Sequence, residues 1–481
     1  MLIFLTIFSP LAAALISTVM KKVKALELLA VLSAIIEFIA GLAIALKVSG
    51  GEVYKLGSYF AIDALSAVIL FIVSIVGLSA SVYSVGYLRE EVKKGIIGFR
   101  RVRQYFILLN LFLMAMFFAV STTNPILMWI AIEATTLSTA FLISFYNKPS
   151  SMEAAWKYLI INSVGLLLGF FGTLLYFTVI GGENSSSVIS WPILLANASH
   201  LNPLVAKIAF IFVTVGYGTK VGFAPMHTWL PDAHSKAPAP ISGLLSGVLL
   251  SVAFLAVLRF RSITNAAIGP EFTGNLLIAF GTFSMVIAAF IIFVQPNYKR
   301  LLAYSSIEHM GIAALGFGFG GLGIFAGLLH LIYHALSKSF LFFTAGNTFL
   351  KFSSTRIAEV RGALTKLPVT GILLMAGFLA ITGVPPFGIF ISEFYIFSAG
   401  VSQHLLPTIV ALLAVVLIFA GFLQHFSGMV FGEAPASIPR GENGILTLLP
   451  PLFLLSLLVI LSLFLPAPLV SLLNSAALIA K

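Results

Sequence analysis

The sequence predicts an all-α polytopic membrane protein of about fourteen transmembrane helices, and three observations carry that expectation. Sixty per cent of the 481 residues are hydrophobic and 9% are charged, with a mean hydropathy of +1.09. An ordinary soluble domain carries roughly 25% charged residues. Apolar runs of bilayer length follow one another with short loops between them; a hydrocarbon core takes about 20 apolar residues per helix. Finally, the lysines and arginines alternate by loop. With the N-terminus outside, nineteen fall in loops on the opposite side, six on the N-terminal side, and Lys220 and Lys338 inside spans. That bias places both termini outside and the Arg89–Arg103 loop in the cytoplasm.

Composition also excludes function classes. The net charge of +11 sits in loops, where it sets orientation, so it is not a nucleic-acid signal. With no cysteine, the chain cannot ligate an iron–sulfur cluster or hold a disulfide. No cofactor of its own is expected, and any redox chemistry belongs to a partner.

Taken in order, the apolar runs centre near residues 11, 36 and 74; 112, 135, 167, 213 and 250; 283, 310, 336, 384 and 418; and 461. The first lacks a positive n-region and is followed by Lys21, Lys22 and Lys24, so it is expected to be a retained helix rather than a signal peptide. The seventh run leads into Val215–Gly247, where Lys220 lies inside apolar sequence and Gly216, Gly218, Gly222 and Pro225 loosen or break the helix. Pro231, Pro238 and Pro240 keep it from resuming smoothly, since proline lacks a donor and clashes with the preceding turn. The twelfth run breaks in the same way at Thr382-Gly-Val-Pro-Pro-Phe-Gly388.

The two breaks lie five helices apart. Residues 104–261, helices 4–8, and 262–431, helices 9–13, therefore read as two five-helix units, and an odd count per unit inverts the second. Residues 1–103 supply helices 1–3, and 432–481 supply helix 14. Broken helices at matching places in two halves point to a transport site.

Ionisable residues furnish that site. Glu133 lies mid-span in helix 5, where a carboxylate costs roughly 2.5–3.5 kcal/mol on insertion scales and needs a partner or a proton. Lys220 is the candidate partner in the same unit. A structural ion pair is one reading. The other is a gated pair, with lysine protonated beside glutamate and releasing its proton when the two separate.

In helix 11, His330, His334 and Lys338 recur every four residues and share a face, the pattern of a proton relay rather than an ordinary core histidine. A metal site is not expected, because no third ligand is evident near the two histidines in sequence. Glu393 follows the second break, and Glu308 and His309 add polar groups to helix 10. His227, Asp232 and His234, after the first break, read as caps, loop contacts or a proton entrance. Asp63 reads as interfacial. Glu37 and His425 are ambiguous between core and function.

These residues carry a resemblance. TKVGFAPMHTWLPDAHSKAPAPISGLL, IEATTLSTAFL, KRLLAYSSIEHMG, HLIYHALSKSFLFFTAGN and GVPPFGIFISEF resemble, in order and over nearly the whole chain, the antiporter-like subunits of respiratory complex I and of Mrp-type cation/proton antiporters. EATTLSTAFLISFY, EAAWKYLIINSVG and AYSSIEHMGI are most similar to the F subunit of hydrogenase-4 and formate-hydrogenlyase-type complexes, the membrane-bound group 4 [NiFe] hydrogenases.

The resemblance implies that Glu133 and Lys220 are the helix 5 and helix 7 pair, that His330, His334 and Lys338 are the helix 11 relay, and that Glu393 is the terminal group of helix 12. It also implies a proton-translocating subunit, with or without sodium coupling, held among other membrane subunits. A soluble arm would carry iron–sulfur and, in the hydrogenase case, [NiFe] centres. A stand-alone Mrp subunit and a non-pumping scaffold for a redox arm are the alternatives. Where many members carry a helix 8 lysine or histidine, this chain offers only Ser246 and Ser251. It also lacks the long lateral C-terminal helix of the largest complex I member.

Overall fold

The computed structural model describes residues 1–179 and 189–481, and those residues are overwhelmingly helical. Helix α1 spans Leu2–Val19, α2 Val23–Val48, α3 Ala64–Lys93, α4 Phe99–Ser121, α5 Pro125–Ile143 and α6 Pro149–Tyr176. Helix α7 comes in two pieces, α7a (Pro203–Val221) and α7b (Trp229–Lys236). Then follow α8 (Ala239–Ile268), α9 (Glu271–Phe293), α10 (Tyr298–Phe319) and α11 (Leu322–Phe352). Helix α12 is also in two pieces, α12a (Pro368–Ile381) and α12b (Gly388–Val401), before α13 (Leu405–Phe431), α14 (Ile445–Leu463) and α15 (Ala467–Ile479).

Among the described residues, twelve helical segments are long and apolar enough to cross a membrane. Helix α10, with its buried polar residues, and the divided α12 complete an array of about fourteen spans, as the hydropathy pattern predicts. Both expected breaks occur at the expected places, and each holds a cis bond before proline, at Ala224–Pro225 and Pro385–Pro386.

Two features depart from the sequence reading. The last apolar stretch is two helices, α14 and the short α15, because Pro466 cannot continue a helix begun upstream. An antiparallel pair of short strands, β1 (Tyr54–Leu56) and β2 (Phe60–Ile62), fills the α2–α3 connection.

Local sequence sets the helix starts. Asn124, Asn202 and Asn297 each accept two backbone N–H bonds at the starts of α5, α7a and α10, where the first turn lacks intrahelical acceptors. Asp63 caps α3 and also grips Arg259 of α8 with both oxygens, at 2.5 and 2.6 Å. Burial alone would push the Asp63 carboxyl up, but the Arg259 guanidinium holds it below the usual carboxylate value.

Helices α8 and α11 form the centre, buried nearly end to end, while α1, α2, α6, α9, α13 and α14 form the rim. Helix α6 meets α7a at backbone distance: a Cβ on Gly216 would lie 2.2 Å from the Gly169 nitrogen. That contact draws the C-terminal end of α7a, with Lys220, into the interior. Helix α8 carries a π-helical turn at Leu245–Leu249, a local widening often found at functional sites.

Candidate functional site

The first broken helix delivers Lys220. Gly222 ends α7a at φ +93°, a left-handed conformation natural to glycine. The groups freed by the break find protein partners. Trp229 Nε1 donates to the Thr219 carbonyl at 2.8 Å, and the Ala224 N–H donates to Ser284 Oγ at 3.0 Å. Lys220 is fully buried in the last turn, and its Nζ donates to Thr136 Oγ1 at 2.8 Å and to Tyr158 Oη at 2.7 Å. The ammonium lies 4.6 Å from the Tyr158 ring centroid, held there by the hydroxyl.

Glu133 does not touch Lys220 directly. Its Oε1 accepts from Ser163 Oγ at 2.7 Å and its Oε2 from Thr136 Oγ1 at 3.4 Å. Thr136 thus stands between the two, accepting from the lysine and donating to the glutamate. Sequence reading named the acid and the base but missed Thr136 and Tyr158. The signal for Thr136 was present, since it lies three residues after Glu133 on the same helix face. Tyr158 comes from α6, and nothing local marks it.

The second broken helix gathers a different set. Helix α12a ends at Ile381, and its freed carbonyl accepts from His309 Nε2 at 2.9 Å. A carbonyl only accepts, so this ring nitrogen carries hydrogen. His309 Nδ1 faces His330 Nε2 at 3.2 Å, and Glu393 Oε1 lies 3.9 Å from the same Nδ1. On the far side of its ring, His330 Nδ1 is 2.9 Å from Ser392 Oγ, whose own proton is directed at the Ile389 carbonyl, also 2.9 Å away. One proton between the facing nitrogens joins the two rings at 3.2 Å, with the Glu393 carboxylate beside them.

The expected helix 11 stripe is only partly joined. His330 is in this cluster. His334 is buried with neither ring nitrogen bonded among the described residues, its ring centroid 5.5 Å from that of His309. Lys338 turns toward α10, donating to the Leu302 carbonyl at 2.8 Å and to Ser305 Oγ. The i, i+4 spacing correctly gave a shared buried face but not the partners, which are His309 and the α10 serines.

Between the clusters, Ser246 in the π turn of α8 meets Ser306 Oγ at 2.7 Å, one residue from the serine that holds Lys338. Ser251 Oγ and Glu308 Oε2 are buried without partners among the described residues. His234 is buried and stacked on Phe342, with neither ring nitrogen hydrogen-bonded among the described residues. His227 packs edge-on to Tyr304. Asp232 binds Lys157 of α6 at 3.4 Å and Arg300 of α10 at 2.7 Å, clamping α7b between them. Glu37 accepts from Ser33 within α2, and His425 contacts the Ile292 and Phe293 carbonyls at the end of α9. Both lie outside the two clusters.

A family model described as NADH:quinone oxidoreductase/Mrp antiporter, TM, matches residues 122–419, which contain both breaks and both clusters. The chain belongs to that family. A second model, NADH-Ubiquinone oxidoreductase (complex I), chain 5 N-terminus, matches residues 51–95. The chain is 39% identical over 406 residues to the Hydrogenase-4 component F homolog of Methylacidiphilum infernorum (isolate V4), covering 82% of this chain and 83% of that one. Its fold is similar to a chain of the membrane-bound sulfane sulfur reductase, an archaeal respiratory membrane complex, with a TM-score of 0.87 at 22% identity over 100% of this chain and 96% of that one. It is similar also to a chain of the Mrp complex from Dietzia sp. DQ12-45-1b, with a TM-score of 0.85 at 19% identity over 99% and 96% of the two chains. Within the NADH:quinone oxidoreductase/Mrp antiporter family, this is a multi-pass antiporter-like membrane subunit.

Proposed function

We propose that this antiporter-like subunit translocates protons in the cytoplasmic membrane, with or without sodium coupling, as part of an energy-converting oxidoreductase of the hydrogenase-4 and formate-hydrogenlyase type. Both termini lie outside, and a soluble arm with iron–sulfur and [NiFe] centres docks on the basic cytoplasmic face. Similarity to the Hydrogenase-4 component F homolog supports the assignment to that type of complex. The observation that carries the mechanism is the Lys220–Thr136–Glu133 bridge, because it couples a buried base to an acid through one rotatable hydroxyl.

In this reading, Glu133 holds Lys220 protonated through Thr136. Separation of the two leaves the ammonium without a counter-charge in a low-dielectric interior, and the proton leaves. It passes by way of the α8–α10 serines and Lys338 toward His330, His309 and Glu393 at the second break, with His334 alongside and waters bridging the gaps. Glu308 and Ser251 offer further sites on that course, and His234 and His227 an entrance from the cytoplasmic side. Helices 4–8 and 9–13 form the two inverted units. The same consecutive pairs pack in each: α4–α5, α5–α6 and α6–α7a in the first, and α9–α10, α10–α11 and α11–α12a in the second.

The partner assignment is tested by purifying the tagged chain from solubilised membranes. Iron–sulfur and nickel-containing subunits are expected to co-purify. Other antiporter-like subunits with no redox protein would instead assign the chain to a stand-alone Mrp-type antiporter.

A further inference from the structure

The second break brings together a donor set that the relay alone does not require. His309 Nδ1, His330 Nε2 and a Glu393 carboxylate oxygen, from α10, α11 and α12b, all lie within 4.8 Å of one another, and all three residues are buried. The outer nitrogen of the His309 ring donates to the Ile381 carbonyl, and that of the His330 ring is hydrogen-bonded to Ser392 Oγ. That is the arrangement by which proteins fix the tautomer of a metal-binding histidine, leaving the inner nitrogen's lone pair free for the ion. The two inner nitrogens stand 3.2 Å apart. Two zinc–nitrogen bonds of about 2.0–2.1 Å at a tetrahedral angle span roughly 3.3 Å, so the imidazoles already hold nearly the bite a metal needs.

We propose that His309, His330 and Glu393 form a binding site for one borderline transition-metal dication of the zinc or cobalt class.

Two imidazoles and one carboxylate complete three of four tetrahedral positions and leave the fourth for water. The nitrogen donors select zinc, cobalt or nickel over sodium, magnesium and calcium, which take oxygen ligands. The charge is compatible with burial. Glu393 supplies one negative charge, which offsets half of the ion's. Pro385 and Pro386 in the break are exposed, and Gly383 abuts the ligand carboxylate directly, a Cβ there falling 2.4 Å from Glu393 Oε2. The sequence hid this site because its ligands lie on three separate helices. His334, the histidine that pairs with His330 by spacing, is not among them.

An ion held there occupies the lone pairs that the relay uses, so zinc is expected to stop proton transfer through the second break. That consequence rests on the function proposed above; the binding itself does not.

The test uses the full chain in detergent, freed of metal with a chelator and titrated with Co2+. One equivalent is expected to bind with the visible absorption of tetrahedral cobalt, and Zn2+ should displace it. His330→Gln and the near-isosteric Glu393→Gln should lose that spectrum. Ser392→Ala, which removes only the hydrogen bond behind His330, should weaken binding about tenfold to a hundredfold. His425→Ala, remote from the cluster, should bind as the wild type does. Failure to bind saturably, or an unchanged spectrum in both His330→Gln and Glu393→Gln, would overturn the site. If the spectrum appears as described but zinc-loaded complex pumps at the metal-free rate, the site stands and the relay reading fails.

Discussion

At the scale of single residues, the interior chemistry depends on small hydroxyls. An acid and a base inside apolar sequence were legible because each is costly in lipid and so announces itself. Thr136 was not, since threonines are common in membrane helices and most bond back to their own backbone, as Thr139 and Thr173 do here. What distinguishes Thr136 is a contact with a lysine 84 positions away, a tertiary fact. Thr136→Val keeps the shape and removes the hydroxyl. A hydrogen bond to a charged group contributes roughly 1.5–3 kcal/mol, so proton translocation should fall on the order of tenfold or more in complex of normal yield. Vesicle pumping normalised to assembled complex reads this, and an unchanged rate would remove Thr136 from the path. His334 teaches the converse: periodicity placed it on the buried face with His330 and Lys338, yet a shared face is not a shared hydrogen-bond network.

At the scale of elements, the two broken helices were the most legible feature, because glycine and proline act locally and leave the same mark wherever they stand. What each break exposes was not legible. In α7 the freed backbone is satisfied by Trp229 and Ser284; in α12 a freed carbonyl is satisfied by His309, so the second break itself orients a residue of the proposed relay. Gly383 tests that role. It has φ +66°, and a Cβ there would press on the Glu393 carboxylate. Gly383→Ala should displace Glu393 and add roughly 1 kcal/mol of backbone strain, slowing translocation while the complex still assembles. Full pumping by this variant would show that Glu393 need not sit where the break holds it. The division of the last apolar stretch into α14 and α15 escaped hydropathy, which sums over a window and passes over Pro466.

At the scale of the whole molecule, composition alone gave the class, and the apolar runs of bilayer length gave the helix count. Helix packing was beyond reach, since a membrane interior offers no polar–apolar contrast to rank one helix face above another. The proposed orientation has a clean assay because the native chain has no cysteine. Lys94→Cys should resist an impermeant thiol reagent in intact cells and react after permeabilisation; labelling from outside would reverse the topology and the direction of the relay.

The central claim is that Lys220 works by losing and regaining a proton. Arginine keeps the charge and the donors but stays protonated in proteins, so it can anchor an ion pair and cannot switch. The most direct measurement is therefore proton pumping into sealed vesicles by the complex carrying Lys220→Arg, normalised to assembled complex and to redox turnover of the partner subunits. The account predicts near-normal assembly and redox activity with most pumping lost; wild-type pumping would contradict it and leave Glu133, Thr136 and Lys220 as a structural bridge.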